Sequence, residues 1–152
     1  MKIEWTEYDQ NKLKTYEALA CHFNELAGIS EQTIGVNNPY TPTRDKLSLE
    51  AIADGAVVGR LVGSYDSNTN SVRIDALFVD RERRGQNIGA QLMDAFEQDA
   101  IKKNVSVAFV DTVKSSAPAF YERLGYGLVG EIQAYPTPDE TYYLYMKRLP
   151  SQ

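Results

Sequence analysis

A single cysteine, Cys21, and a single histidine, His22, stand among the 152 residues of this chain. One thiol excludes an internal disulfide, and the two side chains together fall short of the four ligands that a structural zinc site takes. Long apolar runs are missing as well. No segment approaches the roughly 18 apolar residues that span a bilayer, and the longest uncharged stretch, residues 32–43, is polar and holds two prolines. Positive charge is in the minority: sixteen Lys and Arg against twenty-one Asp and Glu give a net charge of −5. That balance argues against nucleic acid as a partner, because phosphate backbones select a basic surface. Met1 to Trp5 run straight into alternating sequence without the apolar core of a secretory signal, so the expected location is the cytoplasm. With no metal expected, the chemistry falls to carboxylates, tyrosines, arginines and backbone amides.

Apolar side chains make up 43% of the chain and charged ones 24%, the mixture of one globular domain over residues 1–152. A chain of this length buries about two thirds of its unfolded surface, enough for a core without covalent staples. Alternation predicts a short strand over 2–8, and Leu13, Tyr16, Ala20, Phe23 and Ala27 recur at helical spacing before Gly28. Cys21 and His22 fall in that helix, as packing and surface residues. Residues 29–45 read as a long polar loop, either a binding element or a short helix with a connector. Three antiparallel strands follow over 47–53, 56–65 and 71–79, the first two joined by an Asp54-Gly55 turn. Helical spacing returns over 88–103, then a strand over 105–113, a helix over 116–124 and two final strands ending at 142–147. A strand, a helix and a strand need a right-handed crossover, which makes 71–79 and 105–113 parallel neighbours in a mixed sheet. For the helix at 116–124, Ser115 or Ser116 offers a cap, Pro118 a first-turn residue and Gly125 a stop.

The segment from Leu77 to Ala90 runs from a buried strand end through a charged, glycine-containing turn into an amphipathic helix. The first N–H groups of a helix have no internal partner and carry the positive end of its dipole, so they bind phosphate where close approach is open. Gly85 and Gly89 leave such room, or serve tight packing instead. Arg84 supplies a fork of donors, with Arg81 and Arg83 beside it. Neither the dinucleotide G-x-G-x-x-G nor a P-loop is present.

These residues resemble the GNAT acyltransferases, which move an acyl group from acyl-coenzyme A, usually to an amine. That family's pyrophosphate motif, (Arg/Gln)-x-x-Gly-x-(Gly/Ala), is matched by Arg84-Gly-Gln-Asn87-Ile-Gly89 five residues after Val79. Asn87 replaces the motif's first glycine, and asparagine tolerates the left-handed turn conformation better than most residues. Ala117-Pro-Ala-Phe-Tyr-Glu-Arg-Leu-Gly-Tyr126 is similar to the family's Ala-x-x-(Phe/Leu)-Tyr-Glu-Lys-Leu-Gly-(Phe/Tyr) helix. Lys114 stands where the family often has asparagine. The resemblance covers residues 47–148 and implies a three-layer α/β/α fold with a partly splayed mixed sheet. It implies acetyl-CoA as cosubstrate, held by Leu77, Phe78, Val79, Arg84, Gly85, Gln86, Asn87, Ile88, Gly89, Ala90 and Lys114. The acceptor is then a primary amine of a small molecule or peptide.

Transfer to an amine needs a neutral nucleophile, a site for the oxyanion and a proton for the departing thiolate. Asp75, two residues before Leu77 and expected on the same strand face, is the candidate base; its alternative is a salt-bridged surface aspartate. A backbone N–H of Phe78 or Val79 would meet the oxyanion, and Tyr121 is the candidate acid, with a half-buried core tyrosine as the alternative. Direct attack is expected, without a covalent intermediate on Cys21. The acceptor pocket is expected to draw on residues 29–45, the hairpin edge and 134–140, with Tyr40, Tyr135, Tyr142 and Tyr143 suited to a cation. The resemblance adds a homodimer through the C-terminal strands. A non-catalytic acyl-CoA-binding module and a pure interaction domain are the rival readings.

Overall fold

The computed structural model describes residues 44–152, Asn68 excepted. The chain divides into units 1–43 and 44–152, and the strand, helix and most of the loop read before residue 44 lie outside the described residues. Strands β1 (Arg44–Ala53), β2 (Ala56–Asp66) and β3 (Ser71–Val79) form an antiparallel meander. Helix α1 (Ile88–Lys102) leads to β4 (Val107–Val113), short α2 (Ala119–Arg123), β5 (Gly127–Gln133) and β6 (Thr141–Arg148). They make one open six-stranded sheet in the order β1-β2-β3-β4-β6-β5.

The β1–β2 turn follows from its two residues. Asp54 and Gly55 both take positive φ, 53° and 77°, the conformation whose twist matches a hairpin. The crossover through α1 makes β3 and β4 parallel, as expected of a strand–helix–strand unit. Only Ser71–Ile74 pair with Val107–Val110; beyond Ile74 the two strands separate, and residues 76–79 keep pairing with β2 alone.

A β-bulge accompanies that separation. Val62 pairs with Ala76 while Gly63 pairs with Ile74, so Asp75 is the extra residue of β3. An extra residue shifts the side-chain phase of a strand by one. Val72 and Ile74 are buried before it, and Leu77 packs on the same core after it. The alternation expected over 71–79 is therefore broken at Asp75, whose direction is not tied to that of Leu77.

Helix α1 packs across β1, β2 and β3. It buries Leu92, Met93, Phe96 and Ala100, at helical spacing, against Leu61, Val72, Ile74, Ala108 and Val110. Each large side chain so buried contributes about 1.5–3 kcal/mol. Two glycines in β2 let the helix approach: a Cβ on Gly63 would lie 2.7 Å from the Phe96 ring, and one on Gly59 would lie 3.1 Å from Ile88. Glu97, buried on the same helix, meets Lys147 of β6 at 2.5 Å, which pairs a charge that burial would otherwise make costly.

The helix expected over 116–124 is shorter and differently capped. A 3-10 turn spans Lys114–Ser116, Ala117 takes a left-handed φ of 55°, and α2 starts after Pro118 with no side-chain cap. The left-handed residue breaks the path from either serine into the helix. Ser115 instead donates its backbone N–H to the Glu140 carboxylate at 3.2 Å. Gly125 ends α2 at φ 88°, as its position predicts.

Candidate active site

The separation of β3 from β4 opens a cleft of about 670 Å³ between the end of β3, the start of α1 and the segment leading into α2. Its floor is a strand edge. With β4 withdrawn, backbone groups of residues 75–79 on that side have no strand partner, so an extended ligand can add to the edge as a further strand would. Leu77, Phe78 and Val79 line this part. Phe78 is 57% exposed, an apolar wall for an apolar chain.

At one end of the cleft lies the N-terminus of α1. Asn87 is its N-cap at φ 62° and makes no side-chain capping bond. The first turn's N–H groups are thus left for a ligand, at the positive end of a fifteen-residue dipole. Arg83 and Arg84 precede the helix, and with Arg123 of α2 they line the cleft. Arg83 is bridged to Asp54 at 2.9 Å. Arg84 folds back so that its Nε donates to the Val79 carbonyl at 3.3 Å. A helix start sharing its cleft with three guanidinium groups, one of them already bridged, is a site for a polyanion.

The two glycines do different work. Gly85 takes φ 79°, and a Cβ there would meet nothing within 4 Å; its requirement is backbone conformation. A Cβ on Gly89 would come 3.3 Å from the Phe120 ring and 3.8 Å from Leu77, so its requirement is packing of α1 against α2 and β3.

Tyr121 stands in the cleft on α2 and is 8% exposed, held edge-on between Phe120 at 5.1 Å and Tyr126 at 6.1 Å. No group among the described residues hydrogen-bonds its hydroxyl. Burial first, then the negative field of Asp111, raises its pKa above the ordinary phenol value, which keeps the proton on oxygen at neutral pH. Neighbouring Tyr126 has a buried hydroxyl without a hydrogen-bond partner. Lys147 sits 5.6 Å over its ring centroid.

Beyond Tyr121 a second cavity, of about 260 Å³, is lined by Asp75, Asp111, Thr112 and Tyr142 among others. Asp75 is bridged to Lys46 at 3.0 Å, so the salt bridge that was the alternative for this residue does form, in a position that still faces the cavity. Asp111 is bridged to Arg73 at 2.6 Å. Tyr135 stacks edge-on with Tyr142 at 5.5 Å.

Of the residues singled out in the sequence, Leu77, Phe78, Val79, Arg84, Gly85, Asn87, Ile88, Gly89, Ala90 and Tyr121 meet on the main cleft. Gln86 lies elsewhere, on the groove between β1 and α1, and Lys114 is exposed and off the cleft. Tyr40 is outside the described residues. Residues the sequence reading did not single out for the cleft are Ser115, Ser116, Ala117, Phe120 and Arg123. Arg123 had a usable signal, since it follows Phe120 by one helical turn. The contribution of 115–117 depends on the left-handed Ala117, which carries none. Among the described residues no cluster of His, Cys, Asp and Glu is placed to hold a metal, and no helix is long and apolar enough to cross a membrane.

Residues 41–135 match the family model described as an acetyltransferase (GNAT) domain. The blasticidin-S acetyltransferase of Streptomyces morookaense is 33% identical over 116 residues, 72% of this chain and 83% of that protein. The crystal structure of an acetyltransferase from Bacillus cereus ATCC 14579 superposes with a TM-score of 0.70 at 20% identity, covering 97% of this chain and 98% of that one. An aminoglycoside 6'-N-acetyltransferase crystallised with coenzyme A gives a TM-score of 0.63 at 17% identity, with 97% of each chain covered.

Proposed function

The chain belongs to the GNAT acetyltransferase family, and on that premise we propose how it works: an acetyl-CoA-dependent N-acetyltransferase that delivers acetyl to a primary amine of a small molecule or peptide by direct attack. One observation carries this reading. A single cleft joins a free strand edge, an uncapped helix N-terminus flanked by arginines, and a protonated tyrosine with no hydrogen-bond partner. Those three features correspond in order to the pantetheine amides, the pyrophosphate and the thiol of coenzyme A.

In this mechanism the N–H groups of Ile88, Gly89 and Ala90 and the Arg84 guanidinium hold the pyrophosphate. The edge of β3 at Phe78 and Val79 pairs with the pantetheine arm, and a backbone N–H there meets the oxyanion that develops on the acyl carbon. Asp75 takes the acceptor's proton through water. An alkylammonium has an ordinary pKa of about 10.4, so the neutral nucleophile has to be generated at the site. Tyr121 then donates its proton to the departing thiolate. The blasticidin-S acetyltransferase, by its name, acts on a small molecule, which favours a small-molecule acceptor here as well.

Residues 1–152 act as one such domain in the cytoplasm, as a homodimer through the C-terminal strands. Leu128, Val129 and Ile132 support the dimer, because all three are exposed on β5 at the sheet edge. The test of function is thiol release from acetyl-CoA against a panel of primary amines. The expected result is amine-dependent release that falls roughly 100-fold in Tyr121→Phe with coenzyme affinity kept. Coenzyme binding without release for any amine would favour the non-catalytic binding module instead.

A further inference from the structure

The main cleft does not end at Tyr121. Leu77, Ser116 and Tyr121 line both it and the 260 Å³ cavity beyond, so the two spaces meet at these three residues. Sites that enclose drug-sized molecules run to about 300–1,000 Å³. The second cavity is smaller and takes an arm of a molecule, a few methylenes ending in nitrogen, while the rest stays outside.

Two features say what that arm carries. Tyr121, 8% exposed, lines this cavity as well as the main cleft and has no hydrogen-bond partner among the described residues, so a hydroxyl that donates to the thiolate is left to accept from a ligand's N–H. The second is the state of the two carboxylates on the cavity, Asp111 and Asp75. Arg73 Nη1 donates to Asp111 Oδ1 at 2.6 Å, and this fixes the carboxylate's orientation on β4. Asp75 is held by Lys46, whose side chain is 72% exposed; such a surface pair is weak and mobile. Asp111 and Tyr121 line the same cavity, and the Asp111 charge reaches the Tyr121 hydroxyl.

We propose that Asp111 determines acceptor specificity, holding the ammonium end of an aminoalkyl arm in the cavity beyond Tyr121 and so selecting cationic over neutral nucleophiles. The assignment rests on the acetyltransferase reading above. Asp111 binds the arriving ammonium, and Asp75 remains the group that takes its proton before attack. The Arg73 guanidinium orients Asp111 and at the same time competes for its charge.

The test compares n-butylamine, an ammonium at neutral pH, with O-butylhydroxylamine, which is of similar length and uncharged there. Their kcat/KM values are measured for the native protein, Asp111→Asn and Arg73→Met, with thermal stability and acetyl-CoA affinity as controls. Asp111→Asn is expected to cut kcat/KM for n-butylamine by about tenfold or more and to leave O-butylhydroxylamine within about threefold. Arg73→Met, which removes the competing cation, is expected to hold or raise the preference for n-butylamine. A purely structural pair would lower both nucleophiles alike in both variants, and that result overturns the proposal, as does a native protein with no preference for the ammonium. Turnover of neither nucleophile by a native protein that binds acetyl-CoA overturns the acetyltransferase reading and the proposal together.

Discussion

In the proposed mechanism Tyr121 concentrates most of the chemistry in one hydroxyl. Burial and the Asp111 carboxylate both raise its pKa above the ordinary 10.0, so the acid form persists through neutral and mildly alkaline pH. The expected pH profile of kcat therefore has no descending limb from this group below about 10. A limb well below that pH that disappears in Tyr121→Phe would contradict the assignment. Asn87 makes a separate prediction. Its φ of 62° costs an ordinary residue about 1–2 kcal/mol, and asparagine and glycine less. Asn87→Gly should keep the urea midpoint, while Asn87→Ala should lose about 1 kcal/mol. Here the residue scale was readable: the motif's glycine position demands a left-handed backbone, and asparagine is the substitute that supplies it. The role of Gly89 was not readable, because only the position of the Phe120 ring distinguishes a packing glycine from one that admits a ligand.

Among the elements, β3 decides the site, through the bulge at Asp75 and the loss of pairing with β4 after Ile74. The boundaries of β2, β3 and α1 follow from turn residues and periodicity, and the parallel β3–β4 pair follows from crossover handedness. The bulge left no mark. Ile74-Asp-Ala-Leu77 fits a strand in either phase, and an inserted residue becomes visible only in the partner's register. Its counterpart in β2 is Gly63, where a Cβ would meet both the Arg73 carbonyl and the Phe96 ring at 2.7 Å. Gly63→Ala should cost about 1–3 kcal/mol by overpacking, read as a lower thermal midpoint. An unchanged midpoint would mean that α1 is free to move away from the sheet. The segment before α2 shows the same limit from another side. Serines near a helix start suggest a cap, yet the chain spends Ser115 on Glu140 and begins the helix at a proline.

For the molecule as a whole, buried phenols set the alkaline limit of stability. Burial, followed by the Glu122 carboxylate, pushes Tyr145 up to about 12; burial leads the upward shifts of Tyr121 and Tyr126 too. These groups hold their protons in the folded state and release them near 10 when unfolded. Their contribution is complete below pH 10 and is lost as pH rises toward the folded values. Stability measured by denaturant should fall steeply above pH 10, with the tyrosines ionising together on unfolding; ionisation of all of them in the folded protein near pH 10 would contradict the burial.

The proposed mechanism requires the cleft between β3, α1 and α2 to hold acetyl-CoA by its phosphates and its acyl arm. Calorimetric titration of the native protein and of Arg84→Ala with acetyl-CoA tests it most directly. The predicted result is one site per chain with a dissociation constant on the order of micromolar, weakened about tenfold or more by the substitution. Absence of binding by the native protein, or equal binding by the two, would contradict it.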